Sequence, residues 1–339
     1  KFSASRNFRA WMAETAAALA FTTYQGGGLI VLGLKPDGYL DRAAYPFERC
    51  MGLAVAPGAL WVASRQQLWR FSDNLTTSER AGGYARAYRP RVAWITGDID
   101  VHEIAVDADG KPVFVATAHS CLATVSDSAS FTPLWKPPFI SRLAAEDRCH
   151  LNGLAMRDGR PAYVTALSRT DVAEGWREGR ANGGVVIDVA SGEIAAAGLS
   201  MPHSPRLRDG VLWALNSGHG AFGRIDLASG RFEEVAALPG YPRGMDFVGR
   251  YAVVGLSKPR DGAFRGLPLE ERLKAAGVAP RCGLRVIDLD TGDVVHSLDL
   301  EGSVVELFDV RLFPGAPRIA LTGGLGDERA RLVTTGGSS

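Results

Sequence analysis

The chain has 339 residues and a net charge of +1, with 38 Lys and Arg against 37 Asp and Glu. It therefore lacks the basic surface that nucleic acid or an anionic membrane requires. Apolar residues make up 46% and charged residues 22%, the proportions of a folded globular chain, and no apolar run approaches the roughly 20 residues that span a bilayer.

Glycine is abundant: 40 residues, about 12% against a usual value of roughly 7%. That predicts many tight turns and many short strands. The four cysteines, Cys50, Cys121, Cys149 and Cys282, are 71, 28 and 133 residues apart. This spacing gives no C-x-x-C pair and no zinc ribbon. With no stretch that reads as a secretory leader, they are expected to be reduced thiols of a cytoplasmic protein.

In chain order, residues 6–20 are expected to form a helix, with Phe8, Trp11, Met12 and Leu19 near one face. Strands follow at 29–34 and 39–45. A pattern then recurs: a polar residue, a short apolar strand, a Gly turn and a second strand. Its copies open at Met51, His102, Asn152, His203, Arg243 and Glu306, at steps of 51, 50, 51, 40 and 63 residues. Second strands are expected at 60–64, 113–118, 162–168, 211–216, 251–257 and 318–322. Turns such as Ala190-Ser-Gly192 and Asp290-Thr-Gly292 join the outer strands.

Six units of about 50 residues predict an all-β, six-bladed β-propeller as a single domain over 1–333, with a disordered tail at 334–339. The last copy has room for two strands, so the strands at 29–34 and 39–45 are expected to complete its blade. Closure of that kind removes a free sheet edge. Two insertions, 170–182 and 259–281, interrupt the repeat between second and third strands. Both then fall on the face where the first strands begin, and one-sided insertions build binding surfaces.

The first strand of each blade lines the central channel. Aligning the copies places Met51, His102, Asn152, His203, Arg243 and Glu306 around one mouth. His102, His203, Glu306 and Asn152 are the expected metal ligands. Two imidazoles with a carboxylate suit iron, zinc or manganese ahead of calcium, which prefers oxygen. His119, His150 and His219 fall on the same face and are candidates for proton transfer. Arg243 is the candidate for holding a carboxylate or a developing negative charge. Glu103, Tyr241, Trp176, Lys258 and Arg260 are expected to contact substrate. Cys149 beside His150 is a weaker candidate for a nucleophile, because neighbours on an extended segment point apart.

Leu151-Asn-Gly-Leu-Ala155 resembles an element of the SMP-30/gluconolactonase and strictosidine-synthase-like propellers. In that family the Asn is a channel metal ligand, which the resemblance carries to Asn152. The family's acid-bearing blade is matched by Tyr241-Pro-Arg-Gly-Met245, with Arg243 in place of the acid. Broader similarity is to a bacterial family known as a conserved domain of unknown function, sometimes fused to TPR repeats. Its matching stretches include Gly97-Asp-Ile-Asp-Val-His-Glu103, Met201-Pro-His-Ser-Pro-Arg206 and Gly240-Tyr-Pro-Arg-Gly244.

The expected function is a metal-dependent enzyme at the channel mouth. Its substrate would be a small molecule or peptide, and its chemistry hydrolytic or eliminating, with oxygen chemistry open if the metal is iron. The alternative is a non-catalytic propeller that binds a peptide or protein on the inserted-loop face, anchored by Trp176, Tyr241 and Arg260.

Overall fold

The computed structural model describes residues 1–259 and 265–322. Six sheets, antiparallel but for one added strand, radiate from a central channel. Blade 1 runs from Leu53–Ala56 to Arg86–Ile95, and blade 2 from Val101–Val106 to Thr132–Trp135. Blade 3 spans Leu151–Arg157 to Ile194–Leu199, blade 4 Pro202–Arg208 to Arg231–Ala237, and blade 5 Tyr241–Val248 to Val294–Leu300.

Second strands read as continuous apolar runs. Ala59–Ala63 and Pro112–Ala116 are buried at every position, because both faces of a blade are covered by its neighbours. Outermost strands such as Arg231–Ala237 face water along most of their length and carry charges, here Arg231, Glu233 and Glu234. The core is accordingly divided into six interblade slabs. Trp61 and Phe114 fill the slab between blades 1 and 2. Leu122 and Val164 fill the next, and Trp213 and Val254 the one between blades 4 and 5.

The ring closes differently from the expectation. Blade 6 takes three strands from the N-terminal region, Ala18–Thr23, Gly28–Leu34 and Leu40–Pro46, and only its innermost strand, Val310–Phe313, from the other end. The expected second strand near 318–322 is instead Ile319–Leu321. It crosses to blade 1 and pairs in parallel with that blade's outer strand, Leu321 opposite Tyr88. Both chain ends thus fasten the ring, and Phe2–Ala4 adds a fifth strand to blade 5.

The helix expected over 6–20 is shorter, Phe8–Thr15, and stops at Ala16 in the left-handed region with φ 47°. Leu19 belongs to the following strand and pairs with Leu312. Periodicity could not separate the two segments, since both are apolar; strand pairing decided it. Phe8, Trp11 and Met12 seal the slab between blades 5 and 6. The tail at 334–339 lies outside the described residues.

Candidate active site at the channel mouth

The mouth is built by a backbone device repeated in four blades. Two positions before the ring residue stands a non-glycine residue in the left-handed region: Arg49 (φ 46°), Asp100 (58°), His150 (49°) and Met201 (47°). Such conformations cost of order 1–3 kcal/mol each and concentrate at functional sites.

In blades 2 and 4 the twist aims a carbonyl at a ring histidine. His102 Nδ1 lies 3.0 Å from the Asp100 carbonyl oxygen and 2.9 Å from Thr117 Oγ1. His203 Nδ1 lies 2.9 Å from the Met201 carbonyl oxygen and 3.1 Å from Ser217 Oγ. Each hydroxyl donates its own hydrogen to the next blade, Thr117 to the Leu151 carbonyl and Ser217 to the Pro242 carbonyl, both at 2.7 Å. Carbonyls only accept, so Nδ1 must carry the proton on both rings, and Nε2 keeps a bare lone pair. Burial lowers His102 to about 4, with His150 and Arg243 adding to it and Asp100 opposing. Burial, then Arg243, lowers His203 well below the usual imidazole value. Both rings are therefore neutral bases near neutral pH.

His150 is held by a carboxylate. Its Nδ1 is 2.8 Å from Asp147 Oδ2, and Trp176 Nε1 donates to the same oxygen at 2.8 Å. The indole also covers the imidazole, with ring centres 4.5 Å apart, and the His102 ring stands perpendicular to it at 4.8 Å. Trp176 arrives on the first insertion. Leu267 and Leu269 of the second pack with it against Met201 and Tyr241, so both insertions close over the mouth. The left-handed backbone at His150 also turns it away from Cys149, whose thiol is buried and pushed up to about 12 by that burial.

Arg243 donates to Glu306 through NH1. Its guanidinium lies over Tyr241 at 4.9 Å and Phe308 at 5.1 Å. Burial opposes the charge, and Glu306 holds the guanidinium protonated against it. Its Nε is buried and makes no hydrogen bond among the described residues.

The other expected site residues are placed differently. Asn152 has both amide ends engaged: Nδ2 donates to the Pro202 carbonyl at 3.0 Å and Oδ1 accepts from Thr165 at 2.6 Å. It fastens blade 3 to blade 4. Gly153 makes this possible, since a Cβ there would lie 2.4 Å from both Thr165 Oγ1 and Pro205 Cδ. Glu103 turns to the channel floor, where it binds Arg206 and Arg311. His119 sits against Phe131, 5.1 Å between ring centres. His219 lines a separate hollow with Leu238, Leu269 and Arg272. Tyr241 is 0% and Trp176 8% exposed, so neither is free to anchor a partner. Lys258 reaches the mouth region through its backbone N–H, which donates to the Val305 carbonyl at 2.8 Å. Arg260 lies outside the described residues.

Of the four expected metal ligands, then, only His102 and His203 present bare donor atoms. Among the described residues no group of three or more His, Cys, Asp or Glu is placed to hold a metal. Each imidazole does give its other ring nitrogen to a carbonyl, the outer support that metal-bound histidines show. Asn152, engaged at both amide ends, drops out of the expected ligand set.

Sequence reasoning missed Asp147, Thr117, Ser217 and Phe308. A signal for two of them was present. A hydroxyl residue stands 15 residues after His102 and 14 after His203, each two places before the histidine that drew attention, His119 or His219.

The chain belongs to the family described as Domain of unknown function (DUF4915), which matches residues 6–321. No curated protein matches the chain. Among solved structures it is similar to a chain of a nidogen/laminin complex, with 14% identity and TM-score 0.55, over 88% of this chain and 99% of that one. It is also similar to a protein of unknown function from Bacteroides caccae, with 13% identity and TM-score 0.52, over 87% and 97%. A virginiamycin B lyase from Staphylococcus aureus aligns at 15% identity and TM-score 0.43, over 70% and 73%. At these identities the first two likenesses show the fold alone, a β-propeller. No described helix is long and apolar enough to cross a membrane.

Proposed function

We propose that this DUF4915 protein is an enzyme that acts on a small molecule or peptide at the insertion-face mouth, by hydrolysis or elimination. The observation that carries the reading is the His150–Asp147 pair. A carboxylate fixes Nδ1 as the donor, a tryptophan from an insertion covers the ring, and Nε2 is left as a base beside the His102 imidazole.

In this reading His150 Nε2 takes a proton from a water or from a substrate carbon, and Asp147 stabilises the imidazolium that forms. Arg243, framed by the Tyr241 and Phe308 rings, holds the negative oxygen that develops. Trp176 and the second insertion exclude bulk water. A divalent metal on Nε2 of His102 and His203 would polarise a substrate oxygen or lower the pKa of a bound water.

The test is a panel of esters, lactones and β-substituted acids, run with elemental analysis of the purified protein. We expect turnover by the wild-type chain and a loss of about 10²–10⁴-fold in His150→Ala, with any metal retained in that variant and lost in His203→Ala. Full turnover in His150→Ala would refute the assignment of the base.

A further inference from the structure

The channel is not open from end to end. Below the mouth, Glu103 of blade 2 accepts from Arg206 of blade 4 at 2.9 and 3.1 Å and from Arg311 of blade 6. Asp309 accepts from Arg311 at 2.9 Å and from the backbone N–H of Leu53 in blade 1 at 2.9 Å. Two carboxylates and two guanidiniums thus form a buried floor that joins four blades.

On the far side of that floor lies a cavity of about 370 Å³, walled by the late positions of the first strands: Val55, Ile104, Leu154, Met156 and Leu207. Arg206 and Arg311 line it; Glu103 and Asp309 do not, and Asp107 is the single carboxylate in the lining. Exposure agrees: the Arg206 and Arg311 side chains are 15% and 10% exposed, Glu103 and Asp309 3% each. The floor therefore turns its guanidinium edges toward the cavity and keeps its carboxylates behind them. Burial raises Asp309 to about 7, opposed by Arg311 and Arg206 and assisted by Glu103.

We infer that this cavity is a second binding site, distinct from the histidine mouth, for a small amphiphilic monocarboxylate whose head meets Arg206 and Arg311 and whose apolar body lies along the strand ends. Apolar walls with a few converging polar groups are the usual make-up of a small-molecule site. Guanidinium is the group best matched to a carboxylate. At about 30 Å³ per water-sized unit, the cavity takes on the order of a dozen non-hydrogen atoms.

Calorimetry with octanoate tests this on the full chain. Saturable one-to-one binding is expected. Met156→Trp, which fills the cavity and leaves the ion pairs intact, should weaken it at least tenfold without moving the melting temperature. Arg206→Met should abolish it; should that variant fail to fold, Met156→Trp still decides. His203→Ala should bind octanoate as the wild type does, so the result does not depend on the reaction proposed for the other mouth. No saturable binding, equal affinity for 1-octanol, or loss in His203→Ala with Met156→Trp unaffected would each overturn the inference.

Discussion

Glu103→Gln is the perturbation that best examines how the blades are held at the axis. Glutamine keeps the shape and removes the charge, which leaves Arg206 and Arg311 sharing Asp309. Glu103 makes a two-point contact with Arg206 and a further one with Arg311, and its side chain is only 3% exposed. Removing one partner of such a buried group costs about 3–5 kcal/mol, since the remaining charges stay desolvated. With an unfolding entropy of about 2.1 cal/mol/K per residue over 339 residues, that is a drop of roughly 4–7 °C in melting temperature. Urea unfolding at pH 7.5 and calorimetry would measure it. A second signature follows from Asp309. Its carboxyl stands above the ordinary carboxylate range in the folded state, so the folded state holds the extra proton and stability falls as pH rises through the window up to about 7. Glu103 is one cause of that elevation. In Glu103→Gln the window narrows from its upper end, and the slope of stability just below pH 7 flattens. A loss under about 1 kcal/mol, as an exposed pair gives, with an unchanged slope would refute the buried-floor reasoning.

Other outcomes follow from the same geometry. In metal-free protein, the NMR titration of His102 should show it neutral down to about pH 4. Its folded pKa lies below the unfolded value near 6.5, so its contribution to stability is complete above that value and is lost as pH falls toward about 4; a midpoint above 6 would contradict the burial argument. Thr117→Val removes an acceptor of His102 and the clasp to Leu151; a loss of about 1–3 kcal/mol is expected, with an altered imidazole nitrogen spectrum at His102, and rescue by Thr117→Ser. The thiols of Cys121, Cys149 and Cys282 are raised to about 12 by burial, so a thiol reagent should label them only on unfolding; fast labelling of the native protein would be inconsistent with the packed slabs. Deleting 28–46 removes two strands of blade 6 and should abolish cooperative unfolding, whereas a stable monomeric deletion variant would show that the ring does not need that closure.

The sequence by itself determined the number of blades, the order of their strands and the face that carries the insertions. Those features are written locally, in repeat spacing, turn residues and apolar runs, because the four-stranded cores of blades 1 to 5 are each a contiguous stretch of chain. It also determined that His102, His203, Arg243 and Glu306 stand near one mouth, since the repeat register carries them there. Tertiary structure decided what each group does at that mouth. Asn152 and Glu103 carry ligand chemistry in the sequence, but the first clasps blade 4 and the second joins the floor. Their partners, Pro202, Arg206 and Arg311, lie 50, 103 and 208 residues away, and no local pattern names a partner at that distance. The same holds at the ends of the chain. Apolar periodicity does not tell a helix at Leu19 from a strand, or a blade 6 strand at Ile319 from a strap on blade 1. Only the pairing of Leu19 with Leu312 and of Leu321 with Tyr88 settles them, because a strand is completed by the neighbour that satisfies its backbone.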